Sequence, residues 1–387
     1  MPEVHARLSA SGAHRWMNCT PSVKLEEQFP DKGSEYAAEG TLAHSMGETI
    51  IRYNNGEITK KAFSTRMNKF RKDELYDKSM EDYIADYTNT VWEIFNEVKE
   101  KCPDAQLLVE QRLDFSEYVP EGFGTGDVVI IADDTIQVID LKYGKGVGVS
   151  AVNNPQLRLY GIGAYLEHGM LYDIQRMKTT IIQPRLENVS TEELTVDELL
   201  KWAEEEVRPK AELAMKGEGE FCTGDHCRFC KAKAVCRARA DGNLELERLN
   251  FKKPELLEDW EIGEILQRAD ELNSWVKDIT DYAFDQALNH GKKFEGWKLV
   301  EGRSNRKYAD EEAVMITLSD AGYDYAAITK APQLIGITDM TKLLGKKKFE
   351  ELLSAHIVKP EGKPVLVPET DKRPELNTDL FDDDMED

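Results

Sequence analysis

The chain has 387 residues, of which 41% are hydrophobic and 32% are charged, as expected for a soluble globular protein of one large or two modest domains. No apolar run approaches the length of a membrane span, and the N-terminal stretch has no apolar signal core, so we expect a cytoplasmic protein that binds no membrane. The formal net charge of −23 argues against a protein that binds nucleic acid through a broadly basic surface.

Short helical patterns are predicted at the start of the chain. Ser9 or Ser11 is suited to cap a short helix that carries Trp16 and ends near Cys19. A lone cysteine such as Cys19 is more often a small core residue than a ligand.

The next segments are helical or basic. Residues 36–54 contain Glu-Gly-Thr-Leu-Ala-His and predict a helix with Thr41 as its cap and His44 near its start. A histidine at such a position is more often structural than a metal ligand. Residues 57–78 are polar and basic, which is typical either of a solvated loop or helix or of a segment that faces DNA.

Helix and strand patterns then alternate and predict an α/β fold. Residues 79–101 carry apolar side chains at helical spacing, and residues 195–216 form another predicted helix with Thr195 as its cap. Short β-branched runs predict strands over residues 106–115, 128–132, 135–141 and 177–183.

Two acidic residues and a lysine fall at the ends of two predicted strands. Asp127 opens the strand over residues 128–132, and Asp140 lies near the end of the strand over residues 135–141, so an antiparallel hairpin brings them to one end of the sheet. Asp140 and Lys142 are two residues apart and share a face. Hard carboxylate ligands select Mg²⁺ or Mn²⁺, so this group predicts a metal site. A surface hairpin with scattered charges is the alternative.

A helix start follows this hairpin. Asn153-Asn154-Pro155 predicts the start, which puts Gln156 and Tyr160 on successive turns of one helix face. The amino end of this helix would lie beside the carboxylates, where it favours a phosphate group.

Cysteines are concentrated in one later segment, which argues against a disulfide framework and favours metal ligation. Cys227-x-x-Cys230 followed by Cys236 can converge on one centre. Four thiolates suit either a [4Fe–4S] cluster or zinc. A local zinc site could also recruit Cys222 or His226.

Other residues near or outside the cluster have simpler interpretations. Cys102 fits no ligand pattern and is predicted to lie in the core. Basic residues flank the cysteines and could contact phosphate groups, namely Lys231, Lys233, Arg237 and Arg239.

The C-terminal third is predicted to be mainly helical. Residues 254–290 predict a scaffold helix or helix pair, and residues 310–353 are predicted to be helical as well. The first of these segments has apolar positions that are predicted to be buried: Leu256, Trp260, Ile265, Leu272, Trp275, Ile279 and Phe284.

Between these segments, Trp297 beside basic residues 303–307 either stacks on bases or packs beside solvated charges. From residue 359 the chain is rich in proline and charge, which predicts a disordered acidic tail. The predicted domains are residues 1–240, a mainly helical region over 241–358, and the tail over 359–387.

Asp127, Asp140-x-Lys142 and Gln156-x-x-x-Tyr160 together resemble the PD-(D/E)XK nuclease superfamily, and the glutamine–tyrosine spacing resembles its RecB-like branch. That branch includes lambda-type exonucleases and CRISPR-associated iron–sulfur nucleases. The chain also resembles, over most of its length, RecB-like proteins that phage and prophage genomes encode. The second acid is Asp140 where many relatives have glutamate. The resemblance implies a restriction-endonuclease-like αβββαβ core with helical N-terminal additions and a C-terminal helical region.

The resemblance also implies further metal ligands. The Gly-Thr-x-x-His segment places His44 at the metal site with Asp127 and Asp140. An acid on the first strand lies beside the centre in such proteins, and Glu110 is the matching residue.

Catalytic and structural roles follow from the same resemblance. Lys142 would orient the attacking water, and Gln156 and Tyr160 would position the phosphate backbone or the metal-bound water. In iron–sulfur relatives one cysteine precedes the nuclease core and three follow it, which implies a cluster on Cys19, Cys227, Cys230 and Cys236.

The implied function is a Mg²⁺- or Mn²⁺-dependent DNA exonuclease that hydrolyses phosphodiester bonds in phage replication or recombination, in the cytoplasm of a bacterial host. The implied partners are DNA and a phage single-strand binding or annealing protein or a helicase. The alternative is a catalytically inactive DNA-binding or assembly protein with the same fold, which the net charge of −23 favours and the complete residue set disfavours. A zinc-stabilised protein of unrelated function is a third possibility.

Overall fold

A mixed five-stranded sheet forms the centre of the computed structural model, which describes residues 6–30, 33, 35–244, 259–298, 345 and 348. The strands lie in the order β1-β2-β3-β4-β5, and neighbours are antiparallel except for the parallel pair β3 and β4. Their bounds are β1 (Gln106–Asp114), β2 (Phe123–Ala132), β3 (Thr135–Leu141), β4 (Arg176–Gln183) and β5 (Asn188–Thr195).

Helices precede the sheet. The hydroxyl of Ser9 accepts a hydrogen bond from the Gly12 amide and caps a 3₁₀ turn, and Cys19 ends the helix that follows, as the sequence predicts. The helices of this part are α1 (Ala13–Asn18), α2 (Ser22–Glu26), α3 (Glu35–Asn54), α4 (Lys60–Phe70) and α5 (Lys78–Lys101).

Further helices connect and follow the strands. The predicted helix over residues 195–216 is interrupted by a π-helical turn, Ala203–Val207, just before Pro209, which has no N–H to continue the α-helical pattern. Thr195 caps its first part through a capping box with Glu198. The bounds are α6 (Pro155–His168), α7 (Val196–Trp202), α8 (Arg208–Lys216), α9 (Arg237–Leu244) and α10 (Asp259–His290).

Both faces of the sheet are covered by helices. Because successive strand residues point to opposite faces, Val128 and Val129 of β2 belong to different cores. Val128 packs with Met46 of α3 and Tyr87 of α5, and Val129 lies in the cluster that contains Ile162 of α6. The predicted α/β class is confirmed, and the order from α5 to β4 is the predicted helix, three strands, helix and strand.

Two features of the sheet differ from the prediction. Strand β2 begins at Phe123, so Asp127 lies inside it and does not open it. Gly124 and Gly126 weaken the strand pattern in the sequence, but both residues pair with β1. Strand β5 was not predicted, because most of its residues are polar and its inward residues are only partly buried.

The end of β4 fixes the base of the connection between β3 and α6. The Gln183 amide nitrogen donates to the carbonyl oxygens of Gly144 and Val147, both at 2.8 Å. Its carbonyl oxygen accepts from the Val149 amide at 3.1 Å. Gln183 is buried, so these hydrogen bonds are shielded from water.

Strand β5 fixes the remainder of the same connection. Asn188, Ser190 and Glu192, every second residue of β5, each hydrogen-bond a backbone group within residues 149–153. The connection that joins Lys142 to the start of α6 is therefore held to the sheet along its second half.

The C-terminal part of the described chain differs from the prediction in burial. Helix α10 forms as expected, but Trp260 and Phe284 are 55% and 56% exposed and Ile279 is exposed as well, so the prediction that they are buried is wrong. Their apolar spacing is helical, but among the described residues these side chains face no core. Leu256 and residues 303–307, 310–344 and 359–387 lie outside the described residues.

The chain divides into two compact units, Met1–Asp285 and Gln286–Asp387. The domain boundaries inferred from the sequence stay predictions. Among the described residues, no helix combines the length and the apolar character needed to cross a bilayer.

Candidate metal centre

Helix α3 positions the histidine of the site. The helix begins at Glu35, so Thr41 lies inside it and the prediction that Thr41 is the cap is wrong; its hydroxyl donates instead to the Ala37 carbonyl oxygen. His44 is therefore held on an interior turn. Its Nδ1 lies 3.0 Å from an Asp127 carboxylate oxygen, Oδ1.

The β2–β3 hairpin positions the two aspartates. Val128 pairs with Ile139, so the antiparallel register places Asp127 opposite Asp140, as the sequence predicts. The second Asp127 oxygen, Oδ2, accepts a hydrogen bond of 2.7 Å from the Leu141 amide. Both oxygens of Asp127 are thus directed by neighbouring elements.

Lys142 joins the second aspartate to α6. Its Nζ lies 3.0 Å from Asp140 Oδ2 and donates to Gln156 Oε1 at 2.8 Å. The side-chain nitrogen of Gln156 lies 3.3 Å from both Asp140 Oδ1 and the Tyr160 hydroxyl. The Lys142 ammonium and the Gln156 amide therefore connect the predicted site residues at the end of β3 with those on α6.

Helix α6 presents Gln156 and Tyr160 as predicted. Asn154 caps the helix, and its side-chain oxygen accepts from the Gln156 and Leu157 amides. Gly124 of β2 leaves room for the tyrosine ring, because a Cβ there would lie 2.6 Å from Tyr160 Cε1. Gly124 weakens the strand pattern of β2 in the sequence, but the position of Tyr160 requires a glycine there.

Glu110 completes a group of possible metal ligands. It lies in β1 between the pairs Val109–Val128 and Gln111–Gly126, which brings it level with Asp127. Its backbone φ of 53° is in the left-handed region, where a non-glycine residue is strained. Ligand atoms of His44, Glu110 and Asp127 all lie within 4.8 Å of one another.

Burial and charge shift the ionisation of this group. Burial, followed by repulsion from Asp127 and Glu48, raises the pKa of Glu110 to about 7. Burial by itself would lower the pKa of His44, but attraction and hydrogen bonding to Asp127 outweigh it and raise the pKa to about 9. Without a metal, His44 is therefore a cation that compensates Asp127.

The two aspartates shift in opposite directions. Burial acts to raise the pKa of Asp127, but His44, the Leu141 amide and Lys142 together hold it below its usual value. Burial raises the pKa of Asp140 against the opposing attraction of Lys142. Of the two aspartates, Asp140 is the one whose charge the protein alone compensates less.

The donor set fits a divalent cation. Asp140 Oδ2 is buried and has no donor aligned for a hydrogen bond, although the Lys142 ammonium is near enough to form an ion pair. Carboxylate oxygens with one imidazole suit Mg²⁺ or Mn²⁺. His44, Glu110, Asp127 and Asp140 could hold such an ion.

All of the residues predicted for the catalytic and divalent-metal site line one cleft of about 350 Å³: His44, Glu110, Asp127, Asp140, Lys142, Gln156 and Tyr160. Sequence reasoning missed further lining residues. Glu48 is one of them, and its spacing of four from His44 on α3 could have revealed it. Ser9, Ser11 and Phe123 also line the cleft.

A protein family matches nearly the whole chain. The model of the family described as "Protein of unknown function (DUF2800)" matches residues 5–374. The chain belongs to the DUF2800 family. Among solved structures it is similar to one described as "Crystal structure of SSO0001", with 15% identity and a TM-score of 0.22 over 57% of this chain and 95% of that chain. Likeness at that score assigns neither a fold nor a function to the DUF2800 chain.

The cysteine segment of this DUF2800 member packs near the N-terminal helices. Cys19, Cys227 and Cys230 are buried, whereas Cys236 is half-buried and Cys222 is exposed. A hydrogen bond with Cys19 is the main cause that raises the pKa of His226. The structure therefore brings the distant Cys19 to the segment that carries the other cysteines.

The cysteine sulfurs do not form a preassembled zinc site. Tetrahedral zinc with bonds of about 2.3 Å holds its sulfurs roughly 3.8 Å apart. Among the described residues, no three cysteine sulfurs lie within 4.8 Å of one another. Burial raises the pKa of Cys230 to about 12, so this thiol is protonated unless a cation compensates its thiolate.

Two residues outside these sites can be assigned. Arg239 was predicted to contact phosphate, but it is only 1% exposed and forms ion pairs with Glu271 and Asp278 of α10, so that prediction is wrong. Cys102 is buried as predicted, and its sulfur lies 3.2 Å from Asp104 and 3.4 Å from Asp133.

Proposed function

We propose that the DUF2800 chain is a Mg²⁺- or Mn²⁺-dependent DNA nuclease of the PD-(D/E)XK type. One observation carries the proposal: the Lys142 ammonium lies between Asp140 and Gln156, on the cleft that also holds the His44, Glu110 and Asp127 group. A half-buried ammonium directed at a carboxylate and an amide beside a metal-ligand group suits hydrolysis of a charged ester.

His44, Glu110, Asp127 and Asp140 would hold the ion. When bound, a divalent ion lowers the pKa of a water and neutralises charge on a phosphate. The carboxylates are positioned by the sheet and by hydrogen bonds that do not depend on the ion. Folding therefore brings the carboxylates together before the ion binds, so that metal binding does not have to order them.

Lys142, Gln156 and Tyr160 would act on the water and the phosphate. Lys142 is held by Gln156 at 2.8 Å and can donate to a water or to a developing negative oxygen. Burial raises the pKa of the Tyr160 phenol, so it stays protonated and acts as a hydrogen-bond donor. Gln156 stands at the amino end of α6, where an anionic oxygen is stabilised.

We also propose that Cys19, Cys227, Cys230 and Cys236 hold a [4Fe–4S] cluster. The proximity of Cys19 to His226 supports a centre that joins the start of the chain to the later cysteines. Four thiolates suit a [4Fe–4S] cluster, and Cys227-x-x-Cys230 with Cys236 can supply three of them. Zinc bound after local rearrangement is the alternative.

Exonuclease action, the phage context, an annealing, single-strand binding or helicase partner, and the bacterial cytoplasm stay predictions. The competing proposal is an inactive DNA-binding or assembly protein; the net charge of −23 favours assembly, because surfaces that bind DNA are usually basic. Cleavage separates the two directly.

The test is cleavage of linear DNA in Mn²⁺ by the full chain and by Asp140→Ala. We expect the variant to lose cleavage and keep its fold, as circular dichroism would show. Asp134→Ala is the matched control, because Asp134 is a half-buried aspartate at the other end of the same hairpin and pairs with Arg176. Full activity in Asp140→Ala, or none in the wild type, would refute the assignment.

A further inference from the structure

An aromatic side chain lies on the floor of the cleft at the start of β2. Phe123, Thr125 and Asp127 alternate along the strand, so they share one face, and all three line the cleft. Four residues of strand separate Phe123 from Asp127, a distance of about 13 Å. A strand of a few nucleotides spans that distance from the metal-ligand group.

Arg112 packs against the ring of Phe123. Its guanidinium carbon lies 4.1 Å from the ring centroid, and Arg112 pairs across the sheet with Thr125. Arg112 is exposed and is absent from the residues that line the cleft among those described. The guanidinium therefore holds the ring from one side, and Phe123 itself lines the cleft, where a ligand can reach it.

The cleft has the size of a small-molecule site, which suits a single nucleotide unit better than a DNA duplex. Its volume of about 350 Å³ lies near the lower end of the range for small-molecule sites, roughly 300–1,000 Å³. The major groove of a duplex is by itself about 12 Å wide. Its lining includes Ser9 and Ser11 near the start of the chain and Thr41, His44, Ser45 and Glu48 of α3.

The charge of the cleft also disfavours binding through phosphates alone. It is lined by four carboxylates and by two basic side chains, His44 and Lys142; the carboxylates belong to Glu48, Glu110, Asp127 and Asp140. Affinity for duplex DNA comes mainly from lysine and arginine contacts to phosphates. In such a site, stacking of a base on an aromatic ring supplies affinity that phosphate contacts do not.

We propose that Phe123 stacks an unpaired base of the strand that enters the cleft, so that the site takes single-stranded DNA or a frayed end in preference to an intact duplex. This inference rests on the proposed nuclease function for the identity of the polymer. Phe123 contacts the substrate and determines its specificity, and Arg112 positions the ring.

The experiment measures binding of a fluorescent oligothymidylate of about 15 nucleotides and of a blunt hairpin duplex by anisotropy, with Ca²⁺ in place of Mg²⁺. Phe123→Ala and Phe123→Leu should weaken binding to the single strand about 5- to 100-fold, the effect of losing one stacked base. Phe123→Tyr and Phe123→Trp should retain it. Binding of the duplex should be weak in all variants.

The variants separate stacking from packing. Leucine keeps an apolar side chain in β2 but has no ring, so a role in packing alone would let Phe123→Leu bind like the wild type, and that result would overturn the inference. Phe284→Ala is the matched control, because this phenylalanine is 56% exposed on α10 and does not line the cleft. Duplex binding as tight as single-strand binding would also overturn it.

Cleavage in Mn²⁺ distinguishes failure of this inference from failure of the proposed function. A wild type that binds the single strand through Phe123 but cleaves nothing refutes the nuclease assignment and supports the stacking site. A wild type that cleaves DNA, with an unchanged ratio of single-strand to duplex cleavage in Phe123→Ala, supports the nuclease and refutes the stacking site.

Discussion

The cleft and the cysteine segment are two predicted metal sites that the protein organises in different ways. In the cleft, strand register and side-chain hydrogen bonds bring the His44, Glu110 and Asp127 ligand atoms within 4.8 Å of one another. In the cysteine segment, Cys227 and Cys230 lie on and next to a short 3₁₀ turn, and the sulfurs are not gathered to that extent.

The difference lies in what holds each group of ligands. A sheet buried on both faces fixes the backbone of Asp127 and Asp140, so the carboxylates stay together despite their repulsion. Short turns with few backbone hydrogen bonds have no such support, and their ligands need a bound ion to hold them. The cleft should therefore persist without metal, whereas the cysteine segment should depend on the metal centre that we propose for it.

The largest effect that we expect concerns Lys142. Lys142→Met keeps the length of the side chain but removes the charge, and it should lower the cleavage rate about a hundred- to a thousandfold, as for the loss of one group that stabilises transition-state charge. Lys145→Met is the control, because Lys145 is exposed and does not line the cleft. Single-turnover rates measure the effect. Equal losses in both variants would contradict the assignment of Lys142.

Next in size is the effect of losing Cys19. The anaerobically purified protein should absorb broadly in the visible range if the cysteines hold iron and sulfide, and Cys19→Ala should lose that absorbance and melt at a lower temperature. Cys102→Ala, a change of a buried cysteine outside the segment, should leave the absorbance intact. A colourless wild type with stoichiometric zinc would show that the cysteines bind zinc and not an iron–sulfur cluster.

A smaller effect is expected at Gln183. Gln183→Met removes three shielded hydrogen bonds to residues 144–149 and should lower the free energy of unfolding by about 2–3 kcal/mol. Because those residues follow Lys142, cleavage should also slow. Gln175→Met, at an exposed glutamine, is the control, and urea unfolding provides the measurement. Equal stability of the two variants would show that the connection is not held by Gln183.

The smallest effect concerns the pH dependence of the metal-free protein. The pKa of His44 is raised from 6.5 to about 9, so its stabilising charge is fully present below pH 6.5 and is lost as the pH rises to about 9. With one third of the side chain exposed, we expect a loss of about 1–2 kcal/mol. Urea unfolding in EDTA from pH 6 to pH 9 measures it. His44→Gln should flatten this dependence, and an unchanged slope would contradict the ion pair with Asp127.

Much of the cleft could be predicted because its geometry is local. Asp127 and Asp140 meet through one hairpin, and Gln156 and Tyr160 meet through one helical turn. The two-residue alternation of a strand and the four-residue spacing of helix neighbours are enough to predict both contacts. Glu110 and His44 come from elements distant in sequence, and only the family resemblance suggested them. The shift in the pKa of Glu110 depends on burial, which sequence spacing does not reveal.

The wrong predictions arose where the surrounding structure, and not the local sequence pattern, determined the role of a residue. Thr41 has the chemistry of a cap, but the helix begins earlier, at Glu35. Arg239 is basic and close to the cysteines, but two acids of α10 enclose it. Strand β5 has a weak apolar alternation because its Asn188 and Ser190 side chains bind the neighbouring connection.

Titration calorimetry of Mn²⁺ binding at pH 7, in two buffers of different ionisation enthalpy, tests the central claim most directly. Metal binding should displace the proton of His44 and about half a proton from Glu110, whose pKa is about 7. We expect one binding isotherm with net proton release in the wild type, and at least a tenfold weaker affinity in Asp127→Asn. Absence of binding in the wild type, or unchanged affinity in Asp127→Asn, would contradict a metal centre in the cleft.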